Sequence, residues 1–93
     1  MERKKLAPEE ITSGLAELKN WQTEGDFLIK QFKFSNFAEA LEFVNRVGRI
    51  AERLDHHPDI FFGWGHAEIK LTTHDRGGLT DFDFAAAREI DGL

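Results

Sequence analysis

Hydrophobic positions along the chain change period several times, and each change marks an element. Pro8-Glu9-Glu10 puts proline and two acids at a helical first turn, and Ile11, Leu15 and Leu18 follow at helical spacing. A short amphipathic helix to about Leu18 is expected, weakened by Gly14. Lys19-Asn20 interrupts it, Trp21 to Thr23 opens a strand, and Glu24-Gly25-Asp26 supplies a turn. The run Phe27–Phe34 then reads as the second arm of a hairpin. Phe27 and Ile29 point opposite to Leu28, Phe32 and Phe34, so both faces of this strand are expected to be partly covered, one of them by a second subunit.

Ser35 and Asn36, with Glu39 following, resemble a capping box. Phe37, Ala40, Leu41, Val44, Val47, Gly48, Ala51 and Leu54 continue as an apolar helical stripe, with Glu52 on its flank. Pro58 ends this helix and drives His57 toward an extended conformation. Ile60–Gly65 reads as a strand. Ala67, Ile69, Leu71 and Thr73 then alternate with His66, Glu68, Lys70, Thr72 and His74, the clearest period of two in the chain. Asp75-Arg76-Gly77-Gly78 must turn. Thr80 caps a last helix, with Asp83 at its third position and Leu79 and Phe84 placed as a hydrophobic staple. The order α-β-β-α-β-β-α predicts an α+β fold: a two-layer sandwich with three helices on one face of a four-stranded antiparallel sheet.

Composition narrows the function. The 93 residues suit a single domain, with residues 1–7 expected to fray, and a chain of this size buries roughly 60–65% of its unfolded surface. A net charge of −5 argues against direct nucleic-acid binding, and the longest basic block is Arg3-Lys4-Lys5. The absence of cysteine excludes disulfides and thiolate chemistry. With no signal-like or membrane-spanning run, a cytoplasmic protein without membrane association is expected.

Three of the four histidines, His56, His57 and His74, fall at element ends. Imidazole titrates near neutral pH, so acid/base chemistry is one reading. If helical geometry continues through His56, Glu52 lies one turn before it and accepts its ring N–H. The alternative is a polar helix terminus at His56-His57 and a turn histidine at His74; Glu52 and Asp83 read equally as a surface charge and a cap. His66 reads as surface. Adjacent histidines rarely converge on one ion, and no His-x-x-x-His or Glu-x-x-His spacing occurs, so no metal site is expected.

Taken together, Glu52, His56-His57-Pro58, Trp64, Thr73-His74, Gly77-Gly78-Leu79 and Asp83 resemble the pterin-4a-carbinolamine dehydratase family, also described as the dimerisation cofactor of a homeodomain transcription factor. The resemblance runs from about Leu18 to Ile90. It implies a two-layer α+β fold and dehydration of 4a-hydroxytetrahydrobiopterin to quinonoid dihydropterin within tetrahydrobiopterin recycling, without a cofactor. It carries acid/base roles onto His56, His57 and His74 and orienting roles onto Glu52 and Asp83. The pterin would lie against His56, His57 and Pro58 and against Thr73, His74, Asp75 and Arg76. Arg76 departs from the smaller residue expected there. The resemblance also implies a homodimer or tetramer, and the alternative of a non-catalytic dimerisation or transcriptional cofactor.

Overall fold

The computed structural model describes all 93 residues. Helix α1 (Pro8–Ala16) leads into strands β1 (Gln22–Glu24) and β2 (Phe27–Lys33). Helix α2 (Phe37–Leu54) is followed by β3 (Asp59–Gly63), β4 (His66–Leu71), a 3-10 turn over His74–Arg76 and helix α3 (Asp81–Asp91). The four strands form one antiparallel sheet, as the element order predicted, and lie in the order β1-β2-β4-β3.

Strand register sorts the two faces. Leu28 opposes Leu71, Phe32 opposes Ala67, and Ile60 and Phe62 of β3 oppose Ile69 and Ala67. Side chains directly opposite share a face, so these residues form the floor on which the helices pack. Lys30 lies on that same floor opposite Ile69. Its ammonium reaches Asp91 of α3 at 2.8 Å and lies over the Phe32 ring. Asp91 also accepts from the Trp21 indole at 2.9 Å and the Lys19 amide at 3.1 Å. Burial alone would raise the Asp91 pKa. The hydrogen bonds from Lys30, Trp21 and Lys19, with the Lys30 charge, outweigh that and hold it below the ordinary 3.8.

The buried face of α2 is carried by Ala40, Phe43, Val47, Ile50 and Ala51. The expected stripe omitted Phe43 and Ile50 and included Phe37 and Leu41, which stay 44% and 40% exposed. The helix is therefore rotated away from the expected face, because Phe43 fills the space beside Phe32 and Phe34. Asn36 caps α2 by accepting the Glu39 amide, and Glu39 accepts the Ser35 amide.

At the other end, Asp55 adopts a left-handed conformation (φ 50°, ψ 46°). The His56 amide donates to the Ala51 carbonyl and the Asp55 amide to that of Glu52. This double closure, a Schellman arrangement, ends the helix sharply.

Helix α1 crosses α3 where Gly14 meets Phe84. A Cβ at Gly14 would stand 2.6 Å from the Phe84 ring, which explains a glycine inside a helix. Residues 1–7, expected to fray, carry several ties to the body, among them the Leu6 amide to the Leu79 carbonyl at 2.8 Å. No helix is long and apolar enough to cross a membrane.

Candidate active site

The end of α2, the turn after β4 and the first turn of α3 meet around one carboxylate. Thr80 caps α3: its hydroxyl accepts the Phe82 amide, and its own amide donates to Asp83 Oδ2 at 2.9 Å. Asp83 is thus the reciprocal half of the helix cap, as the Thr80/Asp83 spacing predicted. It is also fully buried. Its Oδ2 accepts the Thr73 hydroxyl at 2.9 Å, and the Thr73 oxygen lies 2.8 Å from that of Thr80. Its Oδ1 lies 2.6 Å from His56 Nε2, and the His56 side chain is 5% exposed. No buried side-chain polar atom lacks a partner, so this network closes.

The hydrogen-bond directions follow from chemistry. An Arg3 guanidinium nitrogen lies 3.3 Å from His56 Nδ1. A guanidinium has only donors, so Nδ1 accepts and the ring proton sits on Nε2, donated to Asp83. Thr73 has one hydroxyl proton, given to Asp83, so Thr80 donates its own to Thr73.

The expected Glu52–His56 pair does not form. The left-handed Asp55 swings His56 off the helix and turns its ring toward α3. Glu52 instead meets His57, with Oε2 2.5 Å from Nε2. This second pair is open to solvent, with side chains 78% and 55% exposed. An ionised carboxylate only accepts, so His57 donates from Nε2 and its Nδ1 has no protein partner. Neither pair acquires a third ligand in metal-binding geometry.

His74 opens the 3-10 turn, directly after buried Thr73. The turn is closed by Arg76 N–H to Thr73 O and Gly77 N–H to His74 O, with Gly77 left-handed at φ 68°. Thr73 pairs with Gly78 across its base. The His74 ring is exposed, makes no hydrogen bond within the chain, and packs edge-on against Phe27 at 6.2 Å.

The geometry therefore joins His56, Asp83 and Thr73 in one network and His57 with Glu52 in another. Thr73 is the covalent link from the buried network to His74. No hydrogen bond joins any two of the three histidines. Pro58 is half-buried beside His57, and Asp75 and Arg76 are exposed on the turn. Arg76 Nε donates to the Arg3 carbonyl at 2.5 Å.

Two contributors escaped the sequence reading. Phe82, in the first turn of α3, packs on the His56 ring at 5.7 Å and beneath the Arg3 guanidinium at 4.2 Å. Its aromatic character beside Asp83 was the available signal. Arg3 stands 53 positions from His56 and carried no local signal. The main surface cavities lie elsewhere; a groove of about 710 Å³ along α2, lined by Gly48, Arg49, Glu52 and Arg53, touches only the Glu52 edge.

Comparison with known proteins gives this arrangement a lineage. A relative from Rubrobacter xylanophilus, provisionally named a pterin-4-alpha-carbinolamine dehydratase, is 48% identical over 89 residues, covering 95% of this chain and 83% of its own. One of the same provisional name from Metallosphaera sedula is 42% identical, covering 96% and 93%. The crystal structure of a transcriptional coactivator/pterin dehydratase from Brucella melitensis superposes with a TM-score of 0.92 at 31% identity, over 96% of this chain and 97% of that one. A pterin dehydratase-like protein described as a RuBisCO assembly factor in the alpha-carboxysome has a TM-score of 0.65 at 25% identity, over 82% and 88%. Residues 4–93, nearly the whole sequence, match one family, so this chain belongs to the pterin 4 alpha carbinolamine dehydratase family.

Proposed function

We propose that this protein is a dehydratase acting on 4a-hydroxytetrahydrobiopterin or a close pterin analogue. The reaction takes water from C4a. A proton is delivered to the leaving hydroxyl, another is withdrawn from a ring nitrogen, and the nitrogen electrons form the new double bond of a quinonoid dihydropterin. No electrons are exchanged with an outside partner, so no redox cofactor takes part. His56, His57 and His74 handle the protons, each positioned acid or base being worth on the order of 10²–10⁴-fold. Asp83 and Glu52 orient His56 and His57, while Pro58, Thr73, Asp75 and Arg76 line the pterin. In tetrahydrobiopterin recycling the enzyme would act in the cytoplasm after an aromatic amino acid hydroxylase.

The observation that carries this reading is the closed Asp83–His56 network, joined through Thr73 to His74, inside a chain of this family. A fully buried carboxylate that fixes one imidazole, and also holds the residue just before a second, is an expensive arrangement for a mere surface. The test is the decay of freshly generated 4a-carbinolamine, followed by absorbance with and without protein. Acceleration at micromolar protein is expected; an unchanged rate would refute the assignment.

A second reading is a non-catalytic dimerisation or binding module, and one observation favours it. Phe61 and Trp64 are about 70% exposed at the β3–β4 end of the sheet, and Phe37 and Leu41 are exposed on α2. A homodimer, or a tetramer, would cover such residues. Sedimentation over a dilution series distinguishes the readings: a strict monomer with full dehydratase activity leaves the module without support.

A further inference from the structure

We propose that Arg3, in the arm preceding α1, is a positioning residue that fixes the tautomer of His56. The arm is anchored on both sides of the site. The Leu6 amide bonds to the Leu79 carbonyl, and the Arg3 carbonyl accepts from Arg76 Nε. Alongside these ties the Arg3 guanidinium lies over the Phe82 ring, with Cζ 4.2 Å from the ring centroid. One of its terminal nitrogens donates to the Asp55 carbonyl at 2.9 Å and the other to His56 Nδ1 at 3.3 Å. The Asp55 carbonyl is available because the left-handed residue ends α2 there and turns its own carbonyl out of the helix.

His56 is therefore gripped between opposites. Asp83 presents a pure acceptor to Nε2, and its other oxygen is occupied by Thr73 and Thr80. Arg3 presents a pure donor to Nδ1. Both constraints select one neutral form, with the proton on Nε2 and the lone pair on Nδ1. A flipped ring would bring carbon atoms against both partners, and the other neutral tautomer would bring N–H against guanidinium. The planar fork matters: it spans Asp55 and His56 at once while stacking on Phe82, which a lysine ammonium does not do. With Nε2 committed to Asp83, the one lone pair of His56 stays on Nδ1, so a proton or substrate hydrogen reaches the ring there, in place of the Arg3 N–H. This last, kinetic consequence rests on the dehydratase reading; the tautomer assignment does not.

Nitrogen-15 spectra of the imidazoles in the full chain test the assignment, comparing wild type with Arg3→Met, which keeps an aliphatic stem over Phe82 without a donor, and Arg3→Lys. In wild type, His56 should show a protonated Nε2 and an unprotonated, hydrogen-bonded Nδ1. Arg3→Met should shift the His56 Nδ1 signal and leave those of His57 and His74 in place. It should also lower kcat by roughly tenfold, part of the range open to a positioned acid or base, with KM within about twofold. Arg3→Lys should recover part of kcat. A protonated Nδ1 in wild type, or His56 signals identical in wild type and Arg3→Met, would overturn the proposal. If the spectra behave as expected but wild type does not accelerate carbinolamine decay, the tautomer assignment stands and the dehydratase reading fails.

Discussion

Replacing Asp83 by asparagine changes one oxygen to NH2, nearly isosteric, yet leaves no arrangement that suits its neighbours. Three donors point at the carboxylate: His56 Nε2–H on one oxygen, and the Thr73 hydroxyl and Thr80 amide on the other. If the asparagine amide faces Thr80, two N–H groups oppose each other, and the backbone one cannot change. If it faces His56, the ring can escape only by moving its proton to Nδ1, where the Arg3 guanidinium already donates. One buried donor stays unsatisfied either way, at about 1–3 kcal/mol, and the surviving contacts lose the reinforcement of a full charge. The expected loss is about 2–4 kcal/mol. For a domain of this size that corresponds to a fall in Tm of at least about 8 °C. Urea unfolding at neutral pH with an unchanged m-value measures the loss, and carbinolamine decay well below the new Tm should slow at least tenfold. Asp81→Asn is the control: Asp81 is an exposed acid in the same helical turn, so its loss should cost only a few tenths of a kcal/mol through the helix dipole. A change below about 0.5 kcal/mol in Asp83→Asn, or equal losses in both variants, would refute the network reasoning.

His74→Ala should lower turnover at least tenfold while moving stability by less than about 0.5 kcal/mol, because the ring is exposed; wild-type turnover would remove His74 from the mechanism. Gly14→Ala should lower Tm despite alanine's better helix propensity of about 1 kcal/mol, because the new methyl would stand 2.6 Å from the Phe84 ring; a rise in Tm would refute the crossing. The depressed pKa of Asp91 stabilises the fold fully above its ordinary 3.8, and that contribution is lost as pH falls through the lower folded value. Asp91→Asn should therefore destabilise at pH 7 and flatten the acid limb of the stability curve, read from urea midpoints between pH 7 and pH 2; parallel curves for the two proteins would contradict it.

The elements were legible because each rested on local chemistry. The period of two over Ala67–Thr73 and the Asn36 and Thr80 caps act within a few residues of where they are written, whereas α2 ends at Leu54 on the left-handed Asp55, ahead of the Pro58 expected to end it. Glu52 and His56 were mispaired for an equally local reason: an aspartate at position 55 does not announce a left-handed backbone as glycine would, so the helix was carried two residues too far, through His56 instead of to Leu54. The face of α2 was misjudged because an apolar stripe shows that a face is buried, while the neighbouring Phe32 and Phe34 decide which edge of it. Lys30, Asp91 and Trp21 find one another across 61 and 70 residues of chain, and Arg3 reaches His56 across 53. Such contacts leave no trace in spacing, since only the closed fold brings them together. The histidines were visible as a set, and Glu52 and Asp83 as their carboxylates through the resemblance; which carboxylate meets which imidazole was not.

Asp83 completes the cap of α3 with one carboxylate oxygen and holds His56 with the other. Opening the first turn of that helix, even briefly, releases the imidazole, and any ligand that tightens His56 must also suppress the opening. Amide hydrogen exchange at Thr80 and Phe82 thus becomes a remote gauge of occupancy: slowed exchange at the start of α3, with exchange in the Gly25 hairpin unaltered, would report a bound pterin although neither amide touches it.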